Sequence, residues 1–237
     1  MALPPSQGKK RVLRFDRDYD PYEGDMEFRL TFEGPLRASN TGDRDRRTGR
    51  KEYKHWVRQQ FHTQLRELWR QTPFLNAEPE GTWDGPVFVN KERYPSDPYN
   101  VETLSERFAL YGFNFVPLVT EAIGLLCGLE ILYLRRRNPG DVLESTGDID
   151  NRIKTLFDCL QIPDANQGYH QLTPSDDEKP FFCLLEDDKL VTKVSVETDR
   201  LLQDVNNPFG DTQNDARLVI TVRIKPYRLD LSNIQFG

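Results

Sequence analysis

The chain is 237 residues long and poor in cysteine, histidine and methionine, with 3, 3 and 2 of them respectively. Cys127, Cys159 and Cys183 are too few and too scattered to form a disulfide framework or a zinc site. Each sits among apolar neighbours, so they read as reduced core thiols, the usage expected of a cytoplasmic protein. His55, His62 and His170 have no ligand-like spacing. No long apolar run is present either. The best stretch, 113–134, is interrupted by Asn114, Pro117, Thr120, Glu121 and Glu130, which excludes a membrane-spanning helix. Residues 1–8 lack the apolar centre of a secretory leader. A GxxxxGK loop is missing, which argues against ATP-driven chemistry. Positive charge is not in excess: 32 Lys and Arg stand against 38 Asp and Glu, a net of −6. Taken alone, that balance argues against a nucleic-acid partner.

What is present changes the last inference. Fourteen Phe, 9 Tyr and 3 Trp, with 37% hydrophobic residues overall, supply a core and exclude disorder throughout. The charge is segregated. Residues 37–70 carry eight Arg and two Lys against four acids, a net of +6. Residues 141–190 carry twelve acids against four basic residues, a net of −8. Carboxylates gathered around metal ions still count as negative in such a tally, so the total charge does not decide the partner.

Residues 1–24, with Pro4, Pro5, Gly8, Pro21 and Gly24, read as a loosely ordered lead-in. Residues 26–32 alternate apolar and polar as a half-buried strand does. From Lys51 to Gln71, Tyr53, Trp56, Val57, Phe61, Leu65, Leu68 and Trp69 recur at helical steps, with Lys54, Arg58, Arg66 and Arg70 on the other face. Residues 73–100 and 163–180 read as surface insertions. Between them, 102–134 is expected to supply one or two strands, the last over 128–134, followed by Arg135, Arg136 and Arg137. Ile149, Ile153, Leu156, Phe157 and Leu160 predict a helix over 148–160, capped by Thr146 or Asp148. Strands are expected at 181–185, at 190–196 as another or its continuation, and at 218–224.

The chemistry-bearing string is Gly147-Asp148-Ile149-Asp150-Asn151-Arg152-Ile153-Lys154. Helical spacing sets Asp150, Lys154 and Asp158 on one face, away from the apolar stripe. A second pair, Asp187-Asp188, follows an apolar strand, and alternation allows only one of the two to face the helix. If these carboxylates converge, they suit one or two Mg²⁺ ions, which prefer hard oxygen ligands. Such ions polarise a phosphate and acidify a bound water, with Lys154 offsetting the charge that develops. The plainer alternative stays open: an Asp at a helix start is also an ordinary cap, and Lys154–Asp158 an ordinary surface pair.

The order Asp-x-Asp-Asn-x-x-Lys, then an apolar-striped helix, then a strand running into Asp-Asp, resembles the RusA family of Holliday-junction resolvases. The early strand, the long first helix, the strand over 128–134 with its arginines and the final strand fit the same order, so the resemblance spans about 26–226. It implies a single elaborated α+β domain over 25–237, a mixed β-sheet packed with helices and enlarged by the insertions near 73–100 and 163–180, working as a two-fold homodimer. It implies a cytoplasmic Mg²⁺-dependent endonuclease, of a kind found in phages and bacteria, that resolves branched DNA; Mn²⁺ could substitute. On that resemblance Asp148, Asp150 and Asp188 are metal ligands, Lys154 is the catalytic lysine, and Asn151 and Asp187 are supporting residues. Arg44, Arg46, Arg47, Arg50, Lys54, Arg135, Arg136 and Arg137 are candidate DNA contacts, each adding to a salt-dependent affinity. A chain twice the usual family length leaves a second expectation, a non-catalytic module that binds DNA or, through its insertions, a protein partner.

Overall fold

In the computed structural model, the described residues are 26–39, 49–72, 75, 100–136, 149–164, 169–210, 212–227, 233 and 236. The lead-in, most of the first insertion, and both Thr146 and Asp148 lie outside them. Strand β1 (Met26–Pro35) alternates as predicted, burying Leu30 and Phe32. At its end Gly34 has φ 143°, and a Cβ there would collide with the Trp56 ring, so only glycine lets the strand meet the helix this closely.

Helix α1 (Arg50–Gln71) packs against β1, with Tyr53, Val57, Phe61, Leu65 and Trp69 buried four positions apart. Next to that stripe runs a second, polar one: Lys54, Arg58 and His62 are also buried, because other elements close over this side of the helix. Helix α2 (Val101–Arg107) was not foreseen where strands were expected; its signal is Asn100, whose side chain accepts from Thr103 N–H at 2.9 Å. There follow β2 (Ala109–Leu110), β3 (Phe113–Val119), β4 (Leu125–Arg135), α3 (Ile149–Leu160), β5 (Phe181–Leu185), β6 (Val191–Arg200) and β7 (Asp215–Pro226).

These elements form two sheets. One has the order β1-β7-β4-β6, in which β6 runs parallel to β4 and the other pairings are antiparallel. The other is β2-β3-β5, with β3 and β5 parallel and almost wholly buried, hence their continuous apolar runs. Leu129, Ile131 and Tyr133 of β4 and Leu218, Ile220 and Val222 of β7 share one core with the α1 stripe and with Leu156 and Leu160 of α3. The fold is α+β, as expected.

The 163–180 segment is more than surface. Tyr169 and Glu178 are buried, Tyr169 among Phe113, Phe115 and Phe181. Burial of an aromatic ring outweighs the polar character of the segment, which local composition could not reveal. The three thiols are buried as predicted.

Candidate metal centre and nucleic-acid interface

The candidate site begins at the first turn of α3. Asp150 and Lys154 are exposed, one turn apart. Asn151 is held: its C=O accepts from Ser39 N–H at 3.0 Å and its Oδ1 from the Ser39 hydroxyl at 3.0 Å. Arg152 donates to Leu36 C=O, and Arg50 to Ser39 C=O at 2.6 Å. The mouth of α3 is thereby stapled to the chain leaving β1, while Asp150 and Lys154 stay exposed. Asp150 Oδ1 accepts from Asn151 N–H at 2.9 Å.

Asp158 does not join them. Its carboxylate meets Lys54 at 2.6 Å, and Arg58 donates to its C=O, so the expected surface pair Lys154–Asp158 is replaced by a mostly buried contact between helices. Lys54 is only 6% exposed, so its charge is spent on Asp158, and it is unsuited to the DNA contact expected of it. The reason is tertiary: α3 crosses the very face of α1 that helical periodicity alone assigns to solvent.

Asp187 and Asp188 form a separate cluster. Asp187 caps the single 3₁₀ turn Asp188–Leu190, its Oδ1 accepting from Lys189 N–H at 2.9 Å. Asp188 is exposed, and its N–H donates to Gln161 Oε1 at 2.7 Å. Glu186 accepts from Glu121 N–H at 2.8 Å, and Lys189 pairs with Glu121 at 2.7 Å.

The two clusters stand apart. Gln161 lies just beyond the end of α3, eleven positions after Asp150, which is about 16 Å of helix rise. The sheet gives the same answer independently. Asn151 and Arg152 are fastened next to Pro35, where β4 and β7 pair through Arg135 and Ala216. The Asp188 turn instead feeds Val191 opposite Cys127, the end where β7 has Ile224 and β1 has Met26. Ligands of one Mg²⁺ each approach to about 2.1 Å. Among the described residues no three carboxylate, histidine or cysteine groups gather for a metal, and Asp148 lies outside them. Within one chain, then, the described residues do not fit a centre that joins Asp150 to Asp188.

The expected DNA contacts divide similarly. Arg44, Arg46, Arg47 and Arg137 lie outside the described residues. Arg50 is exposed beside the α3 mouth. Arg135 is 9% exposed, and Arg136 pairs with Asp204 and with buried Asp215, the latter at 3.0 Å, so both serve the end of β4.

Sequence reasoning passed over one polar assembly. His55 Nε2 lies 2.9 Å from Glu178 and its Nδ1 2.8 Å from the Tyr169 hydroxyl, with Gln59 donating to Glu178 at 3.0 Å. His62 accepts from Phe182 N–H at 2.9 Å and faces Asp177 C=O at 3.0 Å. Both imidazoles are pushed below the usual range, chiefly by burial. Burial opposes ionisation of Glu178, yet Ser175 N–H, Gln59 and His55 outweigh it and hold its carboxyl below the usual range. The assembly fastens the second insertion to α1. Its only sequence signal was the spacing of His55, Gln59 and His62 on one side of a helix.

The fold and these two acidic clusters define an α+β protein with an exposed Asp–Lys helix mouth. No family model, no curated protein and no solved structure matches the chain. Among the described residues no helix is long and apolar enough to cross a membrane.

Proposed function

We propose that the chain is a Mg²⁺-dependent endonuclease of RusA type that resolves Holliday junctions or related branched DNA, and that it works as a homodimer. The observation that carries this reading is the exposed Asp150–Lys154 turn, displayed on a helix start that Ser39 and Leu36 hold rigidly. A side chain held in place by its supports, rather than by its own contacts, is what phosphate chemistry requires. Lys154 is the candidate to face charge on a scissile phosphate, and Arg50 beside it the candidate to hold the backbone. The distance between Asp150 and Asp188 makes the dimer part of the proposal: the Asp187–Asp188 turn would come to the α3 mouth from the second copy.

Asp150→Asn is expected to abolish Mg²⁺-dependent cleavage of a labelled four-way junction while leaving binding largely intact. Undiminished cutting by that variant refutes the assignment. Subunit mixing tests the shared site. Asp150→Asn and Asp188→Asn dimers are each inactive, but a heterodimer built across the two-fold has one site with both aspartates intact. Activity should therefore reappear on mixing if the site is shared, and stay absent if each chain carries its own.

The same separation favours a second reading, a DNA-binding or protein-interaction module without nuclease activity. Junction binding with no product in Mg²⁺, and none in Mn²⁺, would support it.

A further inference from the structure

Strand β6 forms the outer edge of the four-stranded sheet, bonded to β4 on one side, and among the described residues no strand lies on its other side. It is ten residues long, has no proline, and is exposed over most of its length. Such an edge is a template for another strand unless something blunts it. Leu201 donates its N–H to Arg135 C=O at 2.7 Å, so the odd-numbered amides of this strand face β4. Those of 194, 196 and 198 face outward.

The side chains say what fits there. Register with β4 sets Val194 beside Leu129, Val196 beside Ile131 and Thr198 beside Tyr133, on the face that carries the core. Yet Val194 remains 44% exposed, because the sheet stops. Lys193, Ser195, Glu197 and Asp199 occupy the opposite face.

Thr192-Lys193-Val194-Ser195-Val196-Glu197-Thr198 reads the same in both directions, except that Lys stands where the reverse has Glu. We propose that β6 is a dimerisation edge whose occupant is the β6 of a second copy, antiparallel about a two-fold axis at Ser195. The axis sets Val194 opposite Val196 on the core face. On the other face it sets Lys193 opposite Glu197. It also pairs the outward amides of 194 with 196, which is the parity a hydrogen-bonded antiparallel ladder needs. Each side-chain match occurs twice, as an isologous interface requires. A neighbouring apolar side chain, Leu202, is 86% exposed just past the strand. A shifted register loses most of the symmetry of these matches. This edge supplies the two-fold on which the nuclease reading depends, but the inference itself stands on strand register and sequence.

The test is charge reversal read by sedimentation equilibrium of the full chain, without DNA or metal. The wild type should be a dimer of twice 27.7 kDa. Glu197→Lys sets lysine against Lys193 twice, and should raise the dimer dissociation constant by about tenfold or more. Lys193→Glu with Glu197→Lys restores opposite charges and should restore dimerisation. In that double variant Arg223 still holds Glu130, the residue Lys193 pairs with in its own chain. Far-ultraviolet circular dichroism checks that all three proteins fold. A monomeric wild type overturns the proposal, and so does a Glu197→Lys variant that dimerises as tightly as the wild type, because the contact then lies elsewhere. A dimer without cleavage sinks only the nuclease reading; a monomer that cuts junctions in Mg²⁺ sinks the interface and the two-copy site with it, and leaves the nuclease chemistry standing.

Discussion

His62 is stacked on Phe181 with ring centroids 4.5 Å apart, and each of its ring nitrogens meets a main-chain group. His62→Ala should therefore cost about 1–3 kcal/mol, read from urea unfolding, because it strands the Phe182 N–H. The same burial fixes a pH dependence. A histidine held below its unfolded value contributes stability above that value and loses it as pH falls, since the unfolded chain then binds more protons. The melting temperature should decline below about pH 6.5, and less steeply in His62→Gln. Glu178, held low, adds to the loss only at more acid pH. Burial pushes the Cys127 thiol up to about 12 and the other two thiols up as well. A thiolate-seeking reagent at pH 8 should leave all three unlabelled until the protein unfolds.

Helix α3 is where the meaning of single residues depends on a partner element. Its apolar stripe was readable, and so was the exposure of Asp150 and Lys154. The use of Asp158 was not. Lys54→Met should destabilise the fold by about 2–3 kcal/mol, because Asp158 is left charged and mostly enclosed. Adding Asp158→Leu should recover most of that loss, measured by the same unfolding curves. Neither substitution touches the exposed Asp–Lys turn, so the cleavage proposed above should persist in whatever remains folded. Ser39 plays the opposite part: an unremarkable residue in a loop becomes the support of Asn151 because β1 ends where α3 begins.

Across the whole molecule, the main sheet separates two acidic clusters that the linear motif suggests are one. Strand β6 connects them conceptually. It starts at the Asp188 turn and ends with Arg200 opposite Arg135, so an antiparallel copy lays the start of one strand against the finish of the other. Only the dimer measurement and the mixing experiment together decide whether the clusters meet.

Periodicity alone was enough for β1, β7, α1 and α3, since alternation and 3.6-residue spacing are local consequences of burying one face, while β4 and β5 were legible as short apolar runs. Apolar neighbours alone were enough for the three buried thiols. Helix α2 escaped because seven residues carry too short a period to read, leaving only its Asn100 cap as a signal. Tertiary structure alone decided that Lys54 and Arg58 lie inside, that Tyr169 and Glu178 dock, and that Asp150 and Asp188 stand at opposite sheet ends. Those outcomes depend on which faces cross and which strand ends align, and such contacts join positions about a hundred residues apart in the case of Lys54 and Asp158. No local pattern encodes them.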